Sequence, residues 1–200
     1  MKPGSRSSRD IVAAVCLAIG AVFGLSGTMV SHAPLRQAFW AIDGVGLVVA
    51  SALLTMKYLR SGNDCVAAGF LVFAIGESLL VSGTAAGLAG SVPSFGGGVA
   101  LWAVALLLTS IPREFALWVR LVGGVASLLF AVVAARIFWG EQLLPTASPL
   151  PFFAYPFLVM TLVGWIWALV RGEGVASSRM GAEQPNPALR PSAPPSQRGN

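Results

Sequence analysis

Three ionisable residues stand inside otherwise apolar stretches of this chain: Asp43, Glu77 and Arg136. A charged group in hydrocarbon is costly and ordinarily faces a cavity or a partner, so these positions are where chemistry would sit. At 1.5 Å of rise per helical residue, Asp43 lies roughly 22 Å from Tyr58, the near end of its apolar run. Glu77, counted from Asp64, lies about 20 Å in by the same rule. The two acids are therefore expected at similar depth, with Arg136 able to reach down to them. Three roles are open. The acids would pair with Arg136 and only orient helices. One would stay protonated and bond a neighbouring helix. Or the pair would bind a proton, a cation or a basic solute in a transport cycle. Gly44 and Gly46 beside Asp43 would loosen that helix and favour a moving part.

Other reactive constellations are missing. The single histidine, His32, has no cysteine or carboxylate cluster near it that would complete a zinc site. Serine and threonine occur without a positioned base. There is no phosphate-binding glycine loop and no dinucleotide fingerprint. We therefore expect no enzyme, no catalytic residue, no cofactor and no metal. Cys16 and Cys65 fall near helix ends expected in the cytoplasm, where thiols stay reduced, and no disulfide is expected.

The elements that must hold the acids follow from composition. Of 200 residues, 56% are hydrophobic and 10% charged, and the mean hydropathy is +0.76. A water-soluble domain carries about 25% charged residues. Too little polar surface exists here to cover such a globule, and a bilayer is the solvent that accepts it. Six apolar runs are read at 11–30, 38–58, 64–89, 97–111, 116–138 and 152–170. Most reach the roughly 17–25 residues needed to span; the fourth is short and opens on Gly97 and Gly98. Asp64 is expected to cap the third helix, and Pro156 to kink the last. The predicted fold is all-α, a polytopic transmembrane bundle of six helices over 11–171. A cytoplasmic segment (1–10) precedes it, and a disordered Pro-rich cytoplasmic tail (172–200) follows.

Lys and Arg set the expected orientation. Lys2, Arg6, Arg9, Lys57, Arg60, Arg113, Arg120, Arg171, Arg179, Arg190 and Arg198 fall on one side, and Arg36 and Arg136 on the other. That asymmetry predicts an inner-membrane protein with both termini in the cytoplasm. Arg120 would snorkel to that side. Trp40, Trp102 and Trp139 toward the outer ends, and Trp118, Trp165 and Trp167 toward the inner ends, would form interface belts. The basic excess is the pattern of loops facing anionic lipid, so nucleic acid is not expected as a partner. Residues 1–33 also admit a signal peptide ending at Ser31-His32-Ala33, but the apolar run is long for one, and a retained first helix is expected.

Small residues suggest how the helices meet. Gly20, Gly24 and Gly27 share a face of the first helix. Gly69, Gly76, Gly83 and Gly90 recur every seven residues in the third, with Gly87 completing a Gly-xxx-Gly with Gly83. Such faces allow close helix packing in lipid. Ala18-Ile19-Gly20 and Ser26-Gly27-Thr28 are echoed by Ala74-Ile75-Gly76 and Ser82-Gly83-Thr84. Likewise Leu53-Leu54-Thr55 is echoed by Leu107-Leu108-Thr109. These echoes are those of a duplicated helical hairpin. In layout the chain resembles small multi-pass inner-membrane proteins of bacteria, a likeness that carries no functional residues. The expected function is a non-catalytic membrane subunit or scaffold, with a membrane-protein partner or a second copy beside the lipid bilayer. The alternative is a small ion- or proton-coupled transporter or channel using Asp43 and Glu77.

Overall fold

A computed structural model describes residues 7–146 and 148–172; residues 1–6 and the expected tail beyond Gly172 lie outside them. Every described regular element is a helix: α1 (Ser8–Met29), α2 (Ala33–Arg60), α3 (Asp64–Thr84), a single turn α4 (Gly87–Gly90), α5 (Val92–Ser110), α6 (Leu117–Phe138) and α7 (Pro149–Arg171). All except α4 are long and apolar enough to cross a membrane, six in number. Their outer faces carry exposed Val22, Val45, Ile75, Leu107, Leu128 and Phe153, one from each long helix. A polytopic membrane-embedded helical protein is the fold that gives those side chains a favourable solvent.

Three boundaries differ by about five residues from those read off the sequence. α2 starts at Ala33 and α5 at Val92, each about five residues early, with a proline in the first turn. Proline is tolerated there because its missing N–H would have no helical partner anyway. The third run does not continue to residue 89. It stops at Thr84, and Gly87 turns the chain with φ +74°. The α3 cap is Asn63, whose side chain accepts from the Val66 amide at 3.3 Å, rather than Asp64.

The long helices form a closed ring. Each packs against its neighbours in sequence, α3 meets α5, and α7 returns to α1 in the least extensive of these contacts. The α1–α2 and α3–α5 seams are glycine seams. A Cβ on Gly24 would lie 2.7 Å from Asp43 Oδ2, and one on Gly27 would lie 2.6 Å from Trp40, both on α2. Gly20 faces Leu47 in the same way. On α3, Gly69 lies against Thr109, Gly76 against Leu101 and the Gly98 carbonyl, and Gly83 against Ser94, all on α5. Gly87 and Gly90 do not join this seam. Nothing lies within 4 Å of a Cβ on Gly87, and Gly90 would meet only Ala86. The helix has already ended, so the seven-residue spacing no longer defines a face. The α1–α2 and α3–α5 hairpins thus use their glycines alike: Gly20 and Gly76 approach Leu47 and Leu101, and Gly27 and Gly83 approach Trp40 and Ser94.

Inside the ring, the half nearer Arg60, Arg113 and Arg171 is filled by aromatic side chains. Phe70 stacks on Tyr58 at 5.6 Å and meets Trp165 edge-on at 4.8 Å. Phe73 stacks on Trp102 at 5.5 Å, and Phe115 closes on Tyr58 at 5.9 Å. Trp102 and Trp165 are 4% and 1% exposed, so they belong to this plug and not to an interface belt. Trp139, 86% exposed, lies at the surface.

Candidate functional site

Above the aromatic plug the ring is not filled. A central cavity opens between α1, α2, α3, α5 and α7, with about 80 Å³ of space that the centres of water molecules can reach. One buried water needs roughly 10–15 Å³ by that measure, so several would fit. Asp43 reaches it from α2 and Glu77 from α3. Each helix places its acid by close approach to a glycine. The Asp43 carboxylate lies against Gly24 of α1, and Glu77 Oε1 is 3.2 Å from where a Cβ on Gly44, the residue after Asp43, would stand. The two acids therefore line one cavity, at the similar depth read from the chain.

Neither acid is neutralised there. Glu77 is 3% exposed. Asp43 Oδ1 and Glu77 Oε2 are both buried without a hydrogen-bond partner. Among the described residues, no lysine, arginine or histidine lines the cavity. The indole N–H of Trp102 lies beside Glu77 without closing a well-formed hydrogen bond. Tyr155 of α7 lines the same space, within electrostatic range of both acids. One residue on, Pro156 lies inside α7 and leaves the Phe152 carbonyl without its helical donor. Ser51, one of the buried polar groups of α2, is likewise unpartnered.

Arg136 does not join them. Its guanidinium holds Glu141 at 2.7 Å, both side chains nearly half exposed. The reason is local: α6 ends at Phe138, and Gly140 (φ +95°) turns the chain so that Glu141 stands beside the arginine. Satisfying the charge at the surface costs far less than carrying it into the ring. Arg36 is also held at its helix end, donating to the Val30 carbonyl at 3.4 Å and lying 5.7 Å from the Trp40 ring. Arg120 does more than snorkel. It donates to the carbonyls of Ser110 and Ile111 at 2.8 and 2.9 Å, satisfying the open C-terminus of α5. Lys57 pairs with Asp10 at 3.0 Å, joining α2 to α1. Cys16 and Cys65 are free thiols.

Trp102 and Tyr155 are site residues that sequence reasoning did not find. One signal was available for Trp102. A Cβ on Gly76 would lie 3.1 Å from its ring, so the glycine of α3 makes the room that this indole occupies. Tyr155 had no comparable signal, because only ring closure by α7 brings it to the acids.

No family model, no curated protein and no solved structure matches this chain.

Proposed function

We propose that this chain is a small transporter of a bacterial inner membrane, with both termini in the cytoplasm, that binds a proton or cation at Asp43 and Glu77. The observation that carries this reading is a pair of carboxyl groups, each with a buried oxygen that no hydrogen bond answers, lining one cavity on whose walls no basic residue stands among the described residues. Two bare carboxylates close together in low dielectric repel strongly, so the pair favours an added proton or cation. The aromatic plug under the cavity gives it one closed side, as a transport cycle requires. The distribution of Lys and Arg supports the orientation. Nothing in the cavity walls supports a catalytic role, and none is proposed.

A scaffold role draws less support than the sequence alone lent it. Its arguments were the glycine faces and the scarcity of polar groups, and the glycine faces are occupied within the chain, α1 on α2 and α3 on α5. A second copy or another membrane protein would have to dock on the outer apolar faces, in the lipid bilayer. No nucleic-acid partner is proposed.

The test is flux in vesicles carrying the purified protein, with Asp43→Asn and Glu77→Gln as variants. Because Arg136 is already paired with Glu141, neither variant strands a buried cation. Each should melt at or above the wild-type temperature, since removing an uncompensated buried charge is neutral or stabilising. Each should lose proton or cation flux. Wild-type flux in both variants would overturn the proposal.

A further inference from the structure

The kind of cation is written in the rest of the cavity wall. Around the two acids stand the rings of Trp40, Phe95, Trp102 and Tyr155 and the aliphatic side chains of Leu47 and Leu158. A bare proton has no use for such a surface. A calcium or magnesium ion surrounds itself with roughly six to eight oxygens. The acids supply four, and among the described residues no group of three His, Cys, Asp or Glu exists that would hold a metal. What the site offers is two carboxyl groups, each with one buried oxygen that no hydrogen bond answers, on a wall that is otherwise mostly apolar and aromatic, with the hydroxyls of Thr28, Thr84 and Ser91 at its edge. That is the complement of a charged nitrogen carried on an apolar body. N–H donors meet the carboxylates in charge-assisted hydrogen bonds, aromatic faces attract the remaining positive surface, and apolar walls bury the body. The space exceeds what a single ion would fill.

We propose that the cavity binds an organic ammonium: a positively charged nitrogen attached to an apolar, ring-sized body, with Asp43 and Glu77 as its acceptors. This rests on the cation-binding reading above and names its substrate class. The same chemistry is offered by a free amine or by the headgroup of an aminophospholipid.

Calorimetric titration of the full-length protein in detergent tests it, with 2-phenylethylammonium as the probe and neutral 2-phenylethanol as its match in shape. We expect saturable binding of the ammonium and none of the alcohol. Asp43→Asn and Glu77→Gln should each weaken binding by about tenfold or more, the worth of one charge-assisted hydrogen bond. If a variant fails to fold, the ammonium and alcohol on the wild-type protein still decide. Equal binding of the alcohol, or no binding of the ammonium, overturns the proposal. If the ammonium does not bind while both variants lose proton or sodium flux, the organic class falls and the cation-binding reading stands. If the ammonium does not bind and flux is unchanged, both fall. Repeating the titration in phosphatidylglycerol discs with and without phosphatidylethanolamine separates the two sources. Competition by the lipid assigns the site to a headgroup; unchanged affinity assigns it to a free amine.

Discussion

Asp43 and Glu77 stand in surroundings unlike those of the ion-paired acids of the described chain. Asp10 has Lys57 at 3.0 Å and Glu141 has Arg136 at 2.7 Å, so those charges are answered locally. The cavity acids are not, and they depend on glycines for their room. At Gly24 a methyl group would stand 2.7 Å from Asp43 Oδ2. We therefore expect Gly24→Ala to push the Asp43 carboxylate away from its seat and reduce cation uptake several-fold. The helix itself would be unharmed, because alanine is the better helix former by roughly 1 kcal/mol. Glu141→Gln is the control at the same scale. It breaks an exposed ion pair worth at most about 1 kcal/mol and should leave flux unchanged. Uptake assays beside detergent melting curves check both. Normal uptake in Gly24→Ala would mean that the carboxylate has freedom to move.

At the scale of elements, the α3–α5 contact is the one that substitutions should expose most clearly. The backbones come so close that a Cβ on Gly76 would be 2.9 Å from the Gly98 carbonyl and 3.0 Å from Leu101 Cβ. A leucine there cannot be absorbed by a rotamer change, because one of the opposing atoms is backbone. Gly76→Leu should cost on the order of 1–3 kcal/mol or more through forced separation of the helices. Gly124→Leu, on α6 where nothing lies within 4 Å, should fall within about 0.5 kcal/mol of wild type. Equal melting temperatures for the two would remove the close contact from the account of stability. Leu79 is a poor neutral comparator. It is one of the exposed side chains of α3, but its Cδ2 would be 2.8 Å from a Cβ on Gly97, so trimming it also touches the α3–α5 contact.

At the scale of the molecule, a ring of six helices has an inside, and that inside is divided. One half is sealed by Tyr58, Phe70, Phe73, Phe115 and Trp165, and the other holds the acids. The loop charges predict which half faces the cytoplasm, and reporter fusions measure it. Fusions after Arg60, Pro93, Arg113, Thr146 and Arg171 should read inside, outside, inside, outside, inside. A periplasmic signal after Arg171 would reverse the assignment and turn the open half of the cavity toward the cytoplasm.

Hydrophobic content and the spacing of apolar runs were enough to read six spanning helices, because a bilayer demands some twenty apolar residues whatever the helices pack against. The glycine periodicity showed which faces of α1 and α3 would pack, since a missing side chain is visible in sequence, and counting rise per residue put Asp43 and Glu77 at one depth. Other features depended on neighbours in space. The sequence put Arg136 within reach of the acids, but the turn at Gly140 brought Glu141 to it first. Trp102 has the composition of an interface anchor, yet Gly76 makes room for it inside the ring. Tyr155 meets the acids only because α7 closes against α1. Depth and periodicity are properties of a single helix and can be read along the chain. Which side chains meet across a ring depends on how all six helices are rotated against one another, and only the folded structure decides that.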